Sequence, residues 1–235
     1  MAVIPTVDPR KWYHILGFVL LVLVLQSLAF TGSRWPFTRT AVRTATYVAL
    51  GDSWSDGTCA TDKETDNFVA VLARHLPAGA HYLNLGVPGI VLDKAIAVEL
   101  PRALAAHPRF VTVWLADNDV GDGTQVPHYR DSLNRLLSSL QHAHIQTFVA
   151  NEPDLRFVPS YRGQPHFVKR GLAYNRVIAR STAAHGGVLV DIYPYTTRLW
   201  GRADRVCQDG EHLNTRGYAA LADIFYRVMH RNQAL

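Results

Sequence analysis

The segment TYVALGDSWSDG, residues 46–57, joins an apolar run to a turn that carries a serine. Residues 46–50 are apolar and rich in strand-forming side chains, so they predict a buried strand. Gly51, Asp52 and Ser53 are turn formers that follow this strand at once. A serine at such a turn, where a helix begins, has an exposed hydroxyl with backbone N–H groups nearby. On its own, the segment is also typical of a plain turn.

Predicted strands and helices alternate after this segment. Short runs of strand-forming residues predict strands at residues 82–85, 110–115, 145–150 and 188–192. Apolar residues spaced three or four apart predict helices at residues 67–76, 92–104, 127–143, 168–184 and 215–229, the second of them kinked near Pro101. Because parallel strands need crossover connections, the alternation predicts an α/β fold, a three-layer α/β/α sandwich with a five-stranded parallel sheet.

Two polar segments follow the second and third predicted strands, where an open parallel sheet binds its ligands. The segment NLGVPG (84–89) contains Gly86, whose backbone can approach a ligand closely and present its N–H. The segment ADND (116–119) contains Asn118, which can donate through its side-chain amide. Considered singly, the segment at 84–89 is also typical of a glycine–proline turn, and the segment at 116–119 of an Asx turn or helix cap.

A further polar segment, DGEHLN (209–214), lies between the last predicted strand and the last predicted helix. Asp209 and His212 are close enough in sequence for a carboxylate–imidazole hydrogen bond within one turn. Such a bond would hold the tautomer of His212 and stabilise its protonated form. The alternative is a helix N-cap followed by a surface histidine.

In this order, the four segments resemble the marker blocks of the SGNH hydrolases, also called GDSL esterases and lipases. The matching residues are Ser53, Gly86, Asn118 and His212, with Asp209 in the same block as the histidine. The resemblance extends over residues 46–227 and implies the flavodoxin-like SGNH hydrolase fold.

Two residues depart from the family pattern. Trp54 stands where the family name has leucine, and Ala116 replaces the usual glycine two residues before Asn118. The extra methyl group of Ala116 is expected to affect where that amide lies. Four aromatic residues are expected either to line a platform for a sugar or lipid or to fill the core: Trp54, Trp114, Tyr161 and Trp200.

The resemblance implies a serine esterase with a Ser–His–Asp mechanism. Ser53 would attack an acyl carbon while His212 takes its proton and Asp209 orients the imidazole. The N–H groups of Ser53 and Gly86 and the side chain of Asn118 would form the oxyanion hole. Short-chain or acetyl esters of a small molecule, lipid or glycan are the expected substrates, and no metal or other cofactor is expected. An envelope glycan O-acyltransferase and a catalytically silent envelope-binding domain stay open as alternatives.

The charge distribution argues against a nucleic-acid partner. The formal net charge is +5, but residues 1–44 hold five Lys and Arg against one Asp. The remaining 19 basic and 18 acidic residues nearly balance, and they form no basic stripe. The sequence does not indicate an oligomeric state.

The N-terminal part of the chain contains an uncharged apolar segment, residues 12–30, long enough to span a hydrocarbon core about 30 Å thick. It predicts a transmembrane signal anchor, or a cleaved signal peptide because Ser27 and Ala29 suit a cleavage site. The predicted organisation is a tail at residues 1–11, the membrane segment at 12–30, a linker at 31–44 and the hydrolase domain at 45–235. Basic residues flank the segment on both sides, so they do not decide its orientation. The expected location is membrane-anchored with an extracytoplasmic catalytic domain, or secreted after cleavage.

The chain contains two cysteines, and an even pair suits an oxidising compartment. Cys59 follows Ser53 in the loop after the first strand, and Cys207 precedes Asp209. If Ser53 and His212 are within hydrogen-bonding reach, these loops run side by side, which predicts a Cys59–Cys207 disulfide. The alternative is two free thiols.

Overall fold

The computed structural model describes residues 46–235, which fold around a five-stranded parallel sheet. The strands are β1 (Tyr47–Gly51), β2 (Tyr82–Asn84), β3 (Phe110–Trp114), β4 (Gln146–Ala150) and β5 (Val188–Val190). Their order across the sheet is β2-β1-β3-β4-β5, and each neighbouring pair is parallel. The predicted α/β fold with a five-stranded parallel sheet is therefore confirmed.

The N-terminal predictions fall outside the described residues. They concern the tail at residues 1–11, the membrane segment at 12–30 and the linker at 31–44. Within residues 46–235, no helix combines the length and the apolar character that crossing a membrane requires.

The two central strands are buried along their whole length. β1 (YVALG) and β3 (FVTVW) have neighbours on each side and helices over both faces, so their sequences are apolar along almost their whole length, with Thr112 as the exception. Tyr47 of β1 stacks on Phe110 of β3 with ring centroids 5.2 Å apart. Its hydroxyl makes a 2.9 Å hydrogen bond with Thr112 Oγ1, which satisfies both buried polar groups.

Helices connect the strands and cover the sheet. They are α1 (Ser53–Asp56), α2 (Phe68–Ala73), α3 (Leu92–Val98), α4 (Leu100–Ala105), α5 (Asp117–Asp122), α6 (Val126–His142), α7 (Pro165–Ala184), α8 (Thr196–Leu199) and α9 (Thr215–Arg231). Helix α6 packs against α3 and α7, whereas α2 packs against α9. Right-handed crossovers place these two groups on opposite faces of the sheet.

The sequence predicted the long elements but not the short ones. The helix predicted at 92–104 is two helices, α3 and α4, with Pro101 in the first turn of the second, where its missing N–H is tolerated. A helix start was expected at Ser53, where α1 begins, but α5 and α8 were not predicted, because their sequences DNDVGD and TTRL show no apolar period. The loop at 151–165 contains a 3₁₀ turn, Pro159–Tyr161.

The strand order reverses between β1 and β3. The chain leaves β1 towards β2 on one side, and it leaves β3 towards β4 on the other. In an open parallel sheet this topological switch opens a crevice at the carboxyl ends of the two strands, and ligands bind there. Helices α1 and α5 begin at those ends, so Ser53 and Asn118 border the crevice.

Candidate active site

Ser53 is the first residue of α1 and follows β1 after a single residue, Asp52. The Asp52 side chain caps the helix by accepting a 3.0 Å hydrogen bond from the Trp54 N–H. Ser53 is 8 % exposed, so its hydroxyl reaches the crevice while the residue itself is held by the fold.

His212 approaches Ser53 from the far end of the chain. Its Nε2 lies 2.8 Å from Ser53 Oγ, which is hydrogen-bonding distance. The imidazole also rests against the indole of Trp54, with ring centroids 5.3 Å apart. Trp54 in turn stacks on Trp114 at 5.2 Å and meets the edge of Trp200 at 5.1 Å. These three tryptophans are buried, so they fill the core beneath the histidine rather than line a substrate platform.

Asp209 contacts the other nitrogen of the imidazole, with Oδ2 2.7 Å from His212 Nδ1. Its Oδ1 accepts the backbone N–H groups of Glu211 at 2.8 Å and His212 at 3.0 Å. Partial burial alone would raise the pKa of Asp209, but the backbone donors and His212 outweigh it and lower the pKa below its ordinary value. An ionised Asp209 favours the Nδ1–H tautomer, which leaves Nε2 free to accept the serine proton.

The loop that carries Asp209 and His212 is tied to its surroundings at several points. Cys207 N–H donates to the His212 carbonyl at 2.8 Å, and Ser160 N–H donates to the Gly210 carbonyl at 3.0 Å. The loop does not leave β5 directly, because residues 191–208, which include α8, lie between them. The Ser160 bond brings the loop after β4 to the edge of the site.

A disulfide joins Cys59 to Cys207, with Cα atoms 6.1 Å apart. It links the segment after Ser53 to the segment before Asp209, and Cys59 Sγ lies 3.6 Å from Asp209 Oδ2. Within residues 46–235, Cys59, Cys207 and Asp209 form one cluster with the atom spacing of a metal site. Disulfide sulfurs carry no thiolate charge, so this donor set does not suit a metal.

Asn118 is the second residue of α5. Its Nδ2 donates to the Ile90 carbonyl at 3.0 Å and to Asp52 Oδ2 at 3.3 Å, so the amide faces the turn that carries Ser53. Ala116, just before the helix, has φ −161°, an extended backbone that any residue adopts. Its methyl group is buried in the core, so glycine is not required at this position.

The Gly86 N–H, predicted to be an oxyanion donor, is already engaged in a hydrogen bond. Its N–H donates to Asn84 Oδ1 at 3.1 Å, so it is not a free donor for a ligand. A Cβ at this position would lie 2.7 Å from Ser55 Cβ and 2.8 Å from the Asp56 nitrogen. Glycine is therefore needed for the loop after β2 to pack closely against α1.

Gly89, in the same NLGVPG segment, was not singled out from the sequence. It has φ +75° in a turn closed by the Ile90 N–H bond to the Val87 carbonyl at 3.2 Å. It is exposed, and within residues 46–235 its N–H makes no hydrogen bond to another backbone carbonyl or side chain. Asn118 holds the carbonyl of the next residue, Ile90. The Pro-Gly dipeptide was the available signal, since glycine at this point of a turn tolerates positive φ.

Ser55, the other hydroxyl in the turn, is 0 % exposed. Its Oγ has no hydrogen-bond partner within the described chain, and a Cβ on Gly51 would lie 2.0 Å from it. The hydroxyl therefore points into the protein against the end of β1, away from substrate.

Buried carboxyl groups lie behind the site. Burial raises the pKa values of Asp52, Asp117 and Glu152, and the negative charges of neighbouring acids raise those of Asp52 and Glu152 further. Burial and the neighbouring Asp117 charge raise the pKa of Glu211 to about 7. Both carboxyl oxygens of Glu152 lack a hydrogen-bond partner within the described chain. Burial therefore shifts the pKa values of these four groups upwards, whereas the hydrogen bonds of Asp209 shift its pKa downwards and favour its charged form.

Comparison with known proteins places this geometry in a family. The sequence model of the GDSL-like lipase/acylhydrolase family matches residues 49–220. No protein of curated function matches the chain in sequence.

Several solved structures share the fold. A lipase/acylhydrolase from Enterococcus faecalis is 20 % identical with a TM-score of 0.64, and the match covers 80 % of this chain and 96 % of that one. The psychrotrophic esterase EstA from Pseudoalteromonas sp. is 17 % identical with a TM-score of 0.66, covering 80 % and 98 %. Axe2, an acetylxylan esterase from Geobacillus stearothermophilus, is 16 % identical with a TM-score of 0.65, covering 80 % and 96 %. Together with the family match over most of the chain, the fold shows that this protein belongs to the GDSL-like lipase/acylhydrolase family, whose members hydrolyse ester bonds.

Proposed function

We propose that the protein is a serine esterase in which Ser53 is the nucleophile, His212 the general base and Asp209 the residue that orients the base. One observation carries the proposal: Ser53 Oγ, the two imidazole nitrogens and the Asp209 carboxylate form a continuous chain of hydrogen bonds at 2.8 and 2.7 Å. A nucleophile within reach of a base that is itself oriented by a third group is the arrangement that activates a serine hydroxyl.

The reaction proceeds in two steps. Ser53 Oγ attacks the acyl carbon, and its proton passes to His212 Nε2 as the tetrahedral oxyanion forms. His212 then gives the proton to the leaving alcohol, and an acyl-enzyme remains on Ser53. Water, deprotonated by His212, attacks the acyl carbon; the bond to Ser53 Oγ then breaks, His212 returns the proton to Oγ, and the carboxylic acid is released. Asp209 stabilises the imidazolium in both steps.

The oxyanion needs donors that are free or only weakly engaged. The Ser53 N–H and the Asn118 amide remain the proposed donors, as expected from the sequence. Asn118 would exchange its longer bond, 3.3 Å to Asp52, for the oxyanion and keep the 3.0 Å bond to Ile90 as an anchor. The backbone donor from the loop after β2 is proposed to be Gly89 N–H rather than Gly86 N–H, which Asn84 already binds. One such donor typically contributes about 2.7–4 kcal/mol in the transition state.

Short-chain or acetyl esters are the proposed substrates. One structural neighbour is described as an acetylxylan esterase, which makes acetylated glycans worth testing. A cavity of about 440 Å³ beside the loop after β4 is lined largely by apolar groups, among them Tyr161, Val168 and Leu172. Its lining does not include Ser53, Asn118, Asp209 or His212, so it is a neighbouring cavity and not the site of the reacting acyl group.

The catalytic domain is proposed to work outside the cytoplasm, either tethered by residues 12–30 or released after their cleavage. The Cys59–Cys207 disulfide supports this, because such bonds persist in oxidising compartments. Alkaline phosphatase fused after Leu235 should be active; an inactive fusion beside an active cytoplasmic reporter would reject the proposal.

A panel of p-nitrophenyl esters of increasing chain length, run beside acetylated xylan, tests activity and substrate class together. The wild type should hydrolyse the acetyl ester fastest and bind a fluorophosphonate probe at Ser53. Ser53→Ala should do neither, whereas Ser55→Ala should do both. A glycan acceptor that captures the acyl group in preference to water would instead assign an acyltransferase. A wild type without probe labelling or turnover would assign a catalytically silent binding domain.

A further inference from the structure

The surface beside the cavity after β4 is positively charged. Residues 155–187 contain six basic residues and no acidic one, whereas the other residues of 45–235 contain 13 basic and 18 acidic residues. Five of the six basic residues are exposed, namely Arg156, Arg162, Lys169, Arg176 and Arg180. The domain is therefore close to neutral as a whole, but one part of its surface is positive.

Helix α7 aligns three of these cations. Lys169, Arg176 and Arg180 are seven and four residues apart, so they project from one face of the helix, with Leu172 between the first two. None of the three forms an ion pair within residues 46–235. No basic stripe was evident in the sequence, because these cations come together only when the chain is helical.

Apolar side chains are exposed among the cations. Leu172 is 38 % exposed and Phe157 is 42 % exposed, and the Arg156 guanidinium lies over the Phe157 ring, 5.8 Å from its centroid. The adjacent cavity of about 440 Å³ has a largely apolar lining that includes Arg156, Tyr161, Pro165, Val168, Lys169 and Leu172. Exposed apolar groups rimmed by cations are typical of a surface that meets a membrane.

Few acidic side chains oppose an anionic partner here. On the helices that pack against α7, the exposed acids are Asp122 of α5 and Asp131 of α6, and Arg130 lies 2.9 Å from Asp131. The charge therefore favours an anionic partner, and the apolar groups among the cations favour lipid over nucleic acid.

We propose that this basic face, formed by Arg156, Phe157, Lys169, Leu172, Arg176 and Arg180, docks the domain onto an anionic lipid membrane. The proposal goes beyond the esterase function and does not depend on it. The basic face adjoins the candidate site, because Tyr161 lines the cavity and donates a 2.8 Å hydrogen bond to Asp117, the residue before Asn118. Docking therefore brings the edge of the crevice next to the lipid surface.

Vesicle binding tests the role of the cations. The full-length protein is mixed with phosphatidylcholine vesicles that contain or lack phosphatidylglycerol, and the bound fraction is measured by sedimentation. Each basic side chain near an anionic surface strengthens binding about fivefold, so Lys169→Gln/Arg176→Gln/Arg180→Gln should bind the anionic vesicles about 100-fold more weakly than wild type.

The matched control removes three exposed cations from α9, which belongs to the group of helices on the opposite face of the sheet. Arg216→Gln/Arg227→Gln/Arg231→Gln changes the net charge equally and should bind the anionic vesicles as wild type does. Residues 1–45 are the same in all three proteins, so their contribution to binding is common to the comparison.

A spin label locates the contact. The two cysteines of the chain are joined in a disulfide, so Leu172→Cys offers a single thiol for a nitroxide. On anionic vesicles this label should become shielded from a water-soluble relaxation agent, and high salt should weaken the shielding. The label should stay accessible on neutral vesicles. A label at Ala219→Cys, an exposed position of α9, should stay accessible on both.

Every other result overturns the proposal. A Leu172→Cys label that stays accessible on anionic vesicles, or a basic-face variant that binds them as tightly as the α9 control, shows that this face does not meet the membrane. Equal shielding on neutral vesicles removes the role of charge. Shielding without vesicles assigns the face to a second copy of the chain, and shielding by duplex DNA but not by vesicles assigns it to a nucleic acid. These measurements need no turnover, so their failure leaves the esterase proposal standing, and a wild type without ester hydrolysis refutes only the esterase proposal.

Discussion

Replacing Glu99 by Gln should change how the stability of the domain depends on pH. Glu99 lies at the junction of α3 and α4, is 0 % exposed, and accepts the Gly51 N–H on Oε2 at 2.9 Å. Its Oε1 has no partner within the described chain. Burial raises the pKa of Glu99 from 4.5 to about 8, although the Gly51 N–H and Arg102 act in the opposite direction. The carboxyl group is therefore protonated in the folded protein at neutral pH.

The sign and size of the effect follow from this difference in pKa. The unfolded chain releases the Glu99 proton near pH 4.5, and the folded chain releases it only near pH 8. The stability contribution of the neutral group is therefore complete below pH 4.5 and is lost as pH rises towards 8. Each pKa unit corresponds to about 1.4 kcal/mol, so the loss is about 3 kcal/mol by pH 7 and about 5 kcal/mol above pH 8. The amide in Glu99→Gln does not titrate, so the variant loses nothing over this range.

The variant carries a pH-independent penalty as well. Gln Oε1 can accept the Gly51 N–H, but its NH₂ group then places two N–H donors where protonated Glu99 places one O–H donor, at a position that has no hydrogen-bond partner within the described chain. Each additional unsatisfied buried donor costs about 1–3 kcal/mol. Glu99→Gln should therefore be less stable than wild type near pH 4.5 and more stable above pH 8, with the two curves crossing between.

Urea unfolding followed by tryptophan fluorescence at a series of pH values measures this crossing. The exposed residue Glu64 supplies the control, since Glu64→Gln should differ little from wild type at any pH. The other buried carboxyl groups affect wild type and variant alike, so the difference isolates Glu99. A difference in unfolding free energy that stays constant from pH 5 to pH 8 would refute the reasoning.

Three further predictions concern the catalytic residues and the disulfide. Ser53→Ala should lower esterase kcat by about 10⁴-fold or more and leave the melting temperature unchanged, whereas Ser55→Ala should keep most of the activity. Near-wild-type turnover by Ser53→Ala in an ester-hydrolysis assay would disprove the assignment of the nucleophile. Asp209→Asn should lower kcat by about 10²- to 10⁴-fold, because the amide no longer favours the Nδ1–H tautomer of His212, and activity equal to wild type would assign the orienting role elsewhere. Cys59 and Cys207 are 148 residues apart in sequence, so reduction of their disulfide should lower the unfolding free energy by up to about 5 kcal/mol, and it should also lower activity. Thermal unfolding and ester hydrolysis with and without dithiothreitol measure the two effects. The stability and activity of the Cys59→Ser/Cys207→Ser variant should not respond to the reductant. If the variant responds as strongly as wild type, the reductant does not act through the disulfide.

The sheet and the order of the functional segments could be predicted because both depend on patterns that are local in sequence. Buried central strands require continuous apolar runs, and β1 and β3 have them. Turn-forming polar residues after such strands then fall at one edge of a parallel sheet. The extents of helices α1 (SWSD) and α5 (DNDVGD) escaped prediction, since neither sequence contains a repeating apolar pattern.

The hydrogen-bond partners within the site could not be predicted, because they depend on contacts between distant segments. Gly86 and Gly89 are equally good turn residues in NLGVPG. Only the fold shows that Asn84 binds the N–H of Gly86 and that α1 packs where its side chain would be. The buried acids are likewise invisible as a group in the sequence, where Asp52, Asp117 and Glu152 are far apart.

The departure from the family pattern at residue 54 is explained by the contacts around His212. A leucine in place of Trp54 could fill the same part of the core, but it would offer no ring against the imidazole. Trp54 also stacks on Trp114 at 5.2 Å and meets the edge of Trp200 at 5.1 Å, so it connects the imidazole to the aromatic core beneath it. Tryptophan at this position therefore supports the proposed base by packing, in addition to filling the core.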